Sequence, residues 1–320
     1  MLGLEELKEH IKVSDKLVEC PVKGCDKKVS RQVEGFRRKR KFQCPEHRIY
    51  ISPTTFEYEF DTDNLLWRGR EDLELLNGIK ALKGESGMAR DDSEDAVTWN
   101  VFRFLDRRGL VAEVMGSLLD TSLEGAETMY WSYNPGEGAA WSKLRRARRE
   151  FGERPRIGAG PDLLIASPGA LVFIEARLTS DNESVPRKDE ATKSYLTGGQ
   201  FWFPRVFLSD YRTIAVEEKR YEPMRFWLLG SWIAARMGID FYLVNLVPEG
   251  KEQDIEKTFG AHLRAGEERV FRRLNWEDIY REILKSDTDR ADKEKVTGYM
   301  ENKSAGYDRK GELRGAFRLR

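Results

Sequence analysis

Cysteine and histidine are scarce in this chain, at three residues each in 320. All three cysteines fall between positions 20 and 44, and an odd number cannot pair off completely. A disulfide-stapled secreted scaffold is therefore excluded, and a local use of the thiols is expected. Net charge is missing as well: 55 Lys and Arg balance 55 Asp and Glu. Attraction for a polyanion must then come from local clustering of basic residues rather than from the overall field. Long hydrophobic runs are also lacking. The most apolar stretch, residues 227–239, contains Arg236 and is shorter than the roughly 20 residues of a membrane span. The opening MLGLEELKEHIKV is acidic and has no apolar core of signal-peptide length, so a cytoplasmic protein without membrane association is expected. What the chain does have is 11% aromatic and 34% charged residues. Over this length that suits one main domain with a core of its own and a smaller one beside it.

The cysteines follow a pattern. Cys20 and Cys25 lie on the turn CPVKGC, and Cys44 and His47 on the turn CPEH. Two tight turns, each aiming two side chains at one point, are what a tetrahedral Cys3His zinc site requires. Zinc here is expected to be structural, because a module this small does not fold without its metal. The segment resembles a zinc ribbon, expected over residues 1–60, with a closing strand at 48–51 and a turn at 52–55. Residues 18–50 hold ten Lys or Arg against four Asp or Glu, a net of six positive charges. The run Arg37, Arg38, Lys39, Arg40 and Lys41 between Phe36 and Phe42 is a candidate nucleic-acid contact.

The stretch GPDLLIASPGALVFIEARLTS, residues 160–180, organises the rest. Apolar runs at 163–166 and 171–178 flank the turn Ser167-Pro168-Gly169, which predicts an antiparallel hairpin. A turn centred near Pro168 brings Asp162 beside Ile174 or Glu175. Alternation places Val172, Ile174, Ala176 and Leu178 on a core face, and Phe173, Glu175 and Arg177 on the other. Unpaired charges at a buried hairpin end would cost several kcal/mol, roughly, and a divalent cation resolves that cost. Hard oxygen ligands suit Mg²⁺ or Mn²⁺. The competing reading is a surface hairpin whose Glu175 and Arg177 form an ordinary ion pair.

Upstream, Asp91-Asp92-Ser93 is a helix start, with Val97, Val101 and Leu105 as the inner stripe and Gly109 as the stop. Helical spacing puts the Glu94 carboxylate on that inner face, although acidic residues also favour a first turn for its dipole alone. Pro161-Asp162 followed by Glu175-Ala176-Arg177, with this helix before them, resembles the PD-(D/E)XK motif of the restriction-endonuclease-like phosphodiesterases. Arg177 stands where that family usually has Lys. The resemblance implies an α/β domain, a restriction-endonuclease-like mixed β-sheet flanked by helices. It also implies a metal site made by Glu94, Asp162 and Glu175, and cleavage leaving 5′-phosphate ends.

Residues 141–156 carry seven basic against two acidic side chains just before the hairpin. Arg145, Arg146, Arg148 and Arg149 are the candidate phosphate contacts there, with Arg154 and Arg156 beyond them. A helix at 221–237, a buried strand at 239–247 and a last helix near 276–284 complete the expected sheet domain, residues 91–285. Residues 61–90 are expected as the connection, 111–115 as the first sheet strand, 181–199 as a polar loop, and 201–207 as an aromatic run that packs in the core. Residues 286–320, charged and poor in large aliphatics, are expected to be a disordered tail. The reading is a metal-dependent nuclease, a DNA endonuclease of restriction or genome-defence type acting on double-stranded DNA. A homodimer or a defence-system partner subunit would suit that role. The alternatives are a non-catalytic nucleic-acid-binding zinc protein with a degenerate nuclease fold, and a zinc-ribbon adaptor that binds another protein.

Overall fold

The computed structural model describes residues 1–33, 35–84, 87–153, 160–186 and 192–319. Arg154 and Arg156 of the second basic patch and residues 187–191 of the polar loop lie outside the described residues. In chain order, β1 (Leu17–Glu19), β2 (Lys28–Ser30), β3 (Tyr50–Ile51) and β4 (Phe56–Glu57) come first. They are followed by helices α1 (Arg70–Lys83), α2 (Glu94–Arg107) and α3 (Val111–Leu119). Then come β5 (Glu127–Tyr130), β6 (Tyr133–Asn134), β7 (Ala139–Ala140), α4 (Ser142–Glu150), β8 (Leu163–Ala166) and β9 (Ala170–Ala176). Helices α5 (Thr192–Phe201), α6 (Phe203–Val206) and α7 (Tyr221–Met237) lead to β10 (Asp240–Val247), α8 (Ile255–Thr258) and β11 (Arg269–Asn275). The chain closes with α9 (Trp276–Lys285), α10 (Arg290–Glu301), β12 (Ser304–Tyr307) and β13 (Leu313–Gly315).

These elements divide into two compact units. The first gathers Met1–Gly69, Ser86–Arg108 and Tyr280–Arg320, and the second Arg70–Glu85 and Gly109–Ile279. The expected boundaries at 60, 90 and 285 are therefore not those of the structure: the cysteine-bearing module shares a unit with α2 and with the C-terminal segment.

In the first unit, Leu7, Ile11, Val18, Ile49, Ile51, Phe56 and Tyr307 form one buried cluster around the cysteines. Ser93 caps α2 as its sequence suggests, its hydroxyl accepting from Ala96 N at 3.1 Å. The helix is buried far beyond the expected stripe, with Trp99, Phe102 and Phe104 enclosed along with Val97, Val101 and Leu105. Asn100 satisfies the backbone beside it, accepting from Leu66 N at 2.8 Å and donating to the Asn64 carbonyl at 3.0 Å.

The expected disordered tail is folded. Asp289 caps α10, accepting from Asp292 N at 2.9 Å, and Val296, Tyr299 and Met300 are buried. Beyond α10, Tyr307 N donates to the Thr54 carbonyl at 2.7 Å and Leu313 N to that of Glu9 at 2.8 Å, so the C-terminal hairpin is stitched to the N-terminal module. Lys303 and Asp91, both buried, form an ion pair, and Ser304 donates to the same carboxylate. A few aromatic and methionine side chains supply the burial that the aliphatic count did not reveal.

Seven strands of the described second unit make one sheet in the order β11-β10-β9-β8-β5-β6-β7. β8, β9 and β5 are antiparallel neighbours, while β10 runs parallel to β9 and β11 parallel to β10. A parallel pair needs a long crossover, and α7 supplies it between β9 and β10. α7 lies close on the sheet: a Cβ at Gly230 would sit 2.1 Å from the Phe241 ring. Phe173 and Phe241 meet edge to face at 5.4 Å beneath it. Two expectations change here. Residues 111–115 begin helix α3 rather than the first strand, which is β5; a short apolar run does not distinguish a strand from a buried helix. The polar loop becomes helical from Thr192.

Candidate functional site

The first site is the Cys3His cluster. Cys20 and Cys25 are held by backbone bonds from Cys20 N to the Lys27 carbonyl at 2.8 Å and from Cys25 N to that of Val22 at 3.2 Å. Gly24 takes φ +77° between them, a left-handed conformation that favours glycine. The second turn closes through Arg48 N to the Cys44 carbonyl at 2.9 Å, with Arg48 itself at φ +56°. The two turns bring Cys20, Cys25, Cys44 and His47 together, with all four ligand atoms within 4.8 Å of one another. Cys25 Sγ and Cys44 Sγ are 3.8 Å apart, and His47 Nδ1 lies 3.7 Å from Cys20 Sγ and 3.6 Å from Cys44 Sγ. A tetrahedron with bonds of about 2.3 Å to sulfur and about 2.0 Å to nitrogen has edges of roughly 3.8 and 3.6 Å. The cluster thus has the dimensions of a zinc site, and it could hold the ion. Burial pushes the Cys20 thiol well above its ordinary pKa, with the neighbouring Cys44 adding to the shift. Metal binding must displace that proton.

The second site is the hairpin. Its register is Leu163 opposite Ile174, Leu164 opposite Phe173, Ile165 opposite Val172 and Ala166 opposite Leu171. Continuing that register by one residue sets Asp162 opposite Glu175. The Asp162 carboxylate accepts from Trp131 Nε1 at 3.1 Å and from Ala176 N at 2.9 Å, so both oxygens are oriented by donors of the protein. Glu175 is buried, at 4% exposure. Arg177 forms an ion pair with it and lies 3.5 Å from Glu222 at the start of α7. Arg177 is fixed on both sides of its backbone, donating from N to the Leu246 carbonyl at 2.8 Å and accepting at O from Trp276 Nε1 at 3.0 Å. Every residue of β9 is buried, so the face carrying Phe173 and Glu175 is core as much as the opposite one. Leu171 and Phe173 belong to the large cluster under α7. Glu94 occupies the first position of α2, half-buried, in the other unit. Among the described residues, the Cys3His set is the group of three or more potential ligands drawn together closely enough for a metal.

The basic candidates separate by partner. Arg145, Arg146 and Arg149 are exposed on α4. Arg148 turns inward instead, its Nε 2.9 Å from the buried Glu153. Glu153 also accepts from Arg225 through two bonds, at 2.6 and 2.8 Å, and from the Tyr195 hydroxyl at 3.0 Å. Burial would raise the Glu153 pKa, but the attraction of Arg225 and then of Arg148 outweighs it and holds the carboxylate below its ordinary range. In the first unit, Arg37, Arg38, Lys39, Arg40 and Lys41 are all exposed, and Arg38 pairs with Glu57. Phe42 is buried, so it supports the fold rather than flanking a ligand. The 201–207 run divides: Phe203, Val206 and Phe207 are core, whereas Phe201 is 64% exposed.

Sequence reasoning missed Trp131, whose indole orients Asp162 from a stretch without periodicity. It also missed Asn245, which sits beside Glu175 in the β9–β10 register. Asn245 accepts from Asn182 at 3.1 Å and donates to Glu252 at 2.9 Å. A lone amide inside the apolar run IDFYLVNLV was a legible signal, because a buried polar group needs partners. No family model, no curated protein and no solved structure matches the chain.

Proposed function

We propose that this protein is a metal-dependent nucleic-acid phosphodiesterase, a DNA endonuclease of restriction or genome-defence type with a structural zinc cluster. The observation that carries the reading is the hairpin register, which sets Asp162 opposite Glu175 on strands that a crossover helix then joins to a parallel neighbour. That arrangement agrees with the restriction-endonuclease-like sheet that the PD-(D/E)XK resemblance implies. Two hard oxygen donors on adjacent strands fit Mg²⁺ or Mn²⁺, with Asp162 and Glu175 as the residues that would hold it. A bound ion would supply Lewis acidity and a water of lowered pKa. The remaining tasks fall to the chain itself. Trp131 and the Ala176 amide fix the Asp162 carboxylate. Arg177 holds a phosphate oxygen with its donor fork, and a guanidinium stays charged, so it does not act as the base.

One observation favours the second reading, a nucleic-acid-binding protein without turnover: Arg177 already neutralises Glu175. Single-turnover cleavage by wild type, Arg177→Lys and Arg177→Ala at matched Mg²⁺ separates the two. An enzyme should cut as wild type, be at least as fast with Lys, and slow by roughly 10²-fold or more with Ala, the scale of losing one positioned electrostatic group. A silent wild type switched on by Arg177→Lys would make the natural protein a binder.

A further inference from the structure

The Cys3His module carries a groove lined by Lys28, Arg40, Lys41 and Arg48, with Ser30 and Gln43 between them and no carboxylate among the described lining residues. Three separate pieces of chain supply the cations: β2, the turn before Cys44, and the position after His47. The two turns that gather the cysteines and His47 therefore also fix Arg48 and the segment leading to Cys44. Several other cations of the module are matched by acids, with Lys8 at 2.8 Å from Glu19, Lys27 at 3.2 Å from Glu46, and Arg38 on Glu57. Lys28, Arg40 and Lys41 make no ion pair among the described residues. Arg48 meets Glu59 at 2.7 Å, but its side chain is 69% exposed and presents its other N–H groups to solvent. Lys41 Nζ is poised 4.8 Å from the centre of the Phe42 ring. Leu17, 43% exposed, adds an apolar wall on which a sugar or base can rest.

Lys28, Arg40 and Lys41, gathered without an ion-pair partner among the described residues, repel one another, and a bound polyanion would relieve that repulsion. We propose that this groove binds the phosphodiester backbone of a nucleic acid, with Lys28, Arg40, Lys41 and Arg48 on successive phosphates. A cation-lined groove with hydroxyl and amide groups suits a strand of phosphates. The proposal rests on nucleic acid being the partner, but not on the chemistry of the hairpin.

The test uses the full zinc-loaded chain and fluorescence anisotropy of labelled single-stranded and duplex DNA and RNA across a salt series without added Mg²⁺. The triple variant Lys28→Gln, Arg40→Gln, Lys41→Gln should bind at least tenfold more weakly. Its slope of log affinity against log salt should fall by about 0.7 to 0.9 for each cation removed. Lys12→Gln, on the same module, should match wild type. In the unaltered protein, bound nucleic acid should protect Lys28 and Lys41 from acetylation, which holds whether or not the triple variant folds. Wild-type slope in a zinc-loaded triple variant, or unprotected Lys28 and Lys41, overturns the proposal. So does tighter groove-dependent binding to phosphatidylserine vesicles than to any nucleic acid. Asp162→Ala acts on cleavage and not on this slope, so failure of the groove and failure of the hairpin reading are told apart.

Discussion

The Cys3His cluster could hold a zinc ion and the hairpin pair is the set we propose for Mg²⁺ or Mn²⁺, and the two meet their surroundings in opposite ways. At the cluster the ligand atoms are spaced as a tetrahedral ion spaces them, and burial raises the pKa of the Cys20 thiol. At the hairpin every carboxylate already has protein partners: Trp131 and Ala176 N for Asp162, and Arg177 for Glu175. A small module whose sulfur and imidazole ligands are gathered at tetrahedral spacing depends on its metal for folding. A site whose ligands are satisfied internally keeps its shape without metal and can exchange it.

Removal of zinc should give the largest effect. Purified protein is expected to carry one tightly held Zn²⁺ per chain, and Cys25→Ser or Cys44→Ser to lose it. Apparent zinc energies in small modules are about 10–16 kcal/mol, so chelation should unfold the first unit while the sheet unit keeps its own transition. Metal analysis without zinc, or a melt indifferent to chelator, would remove the cluster from the comparison.

Deleting residues 290–320 should come next. It strips Val296, Tyr299, Met300 and Tyr307 from the first unit and leaves Asp91 buried without Lys303. Rapid proteolysis of the shortened chain at its N-terminal module is expected; a wild-type digestion pattern would restore the tail to disorder.

The sheet unit should respond to its own ion network rather than to chelator. Glu153→Ala removes the carboxylate that Arg225 and Arg148 share, and breaking a buried pair from one side costs about 3–5 kcal/mol. A lowered melting temperature for that unit alone is the expected readout. The acid dependence follows from the same group. Its folded pKa lies below the ordinary 4.5, so the stability it contributes is present above that value and is lost as pH falls through the folded one. An acid melt begun at pH 5 should therefore steepen below about pH 4.5 in wild type and less so in Glu153→Gln.

Much of this was legible in the residues. The strand Leu163–Ala166, its turn and the helix Tyr221–Met237 follow from apolar runs bounded by Pro and Gly, because local chemistry alone determines them. The Cys3His cluster was legible because two short turns suffice to bring its four side chains together. The α3 segment was not, since a run of this length carries no period that separates strand from helix. Nor was β11, an edge strand whose arginines interrupt its apolar residues, nor the inward turn of Arg148, which depends on a Glu153–Arg225 pair far apart in sequence. The folded C-terminal segment failed for a related reason: its burial is against residues 9, 54 and 91, which composition cannot reveal.

The most direct measurement is single-turnover incubation of zinc-loaded wild type, Asp162→Ala and Glu175→Ala with labelled DNA and RNA, in Mg²⁺, in Mn²⁺ and in neither. Cleavage by wild type only when Mg²⁺ or Mn²⁺ is present, abolished in both variants while binding stays intact or tightens slightly, is the expected result. Cutting at the wild-type rate by both variants would contradict the proposed site.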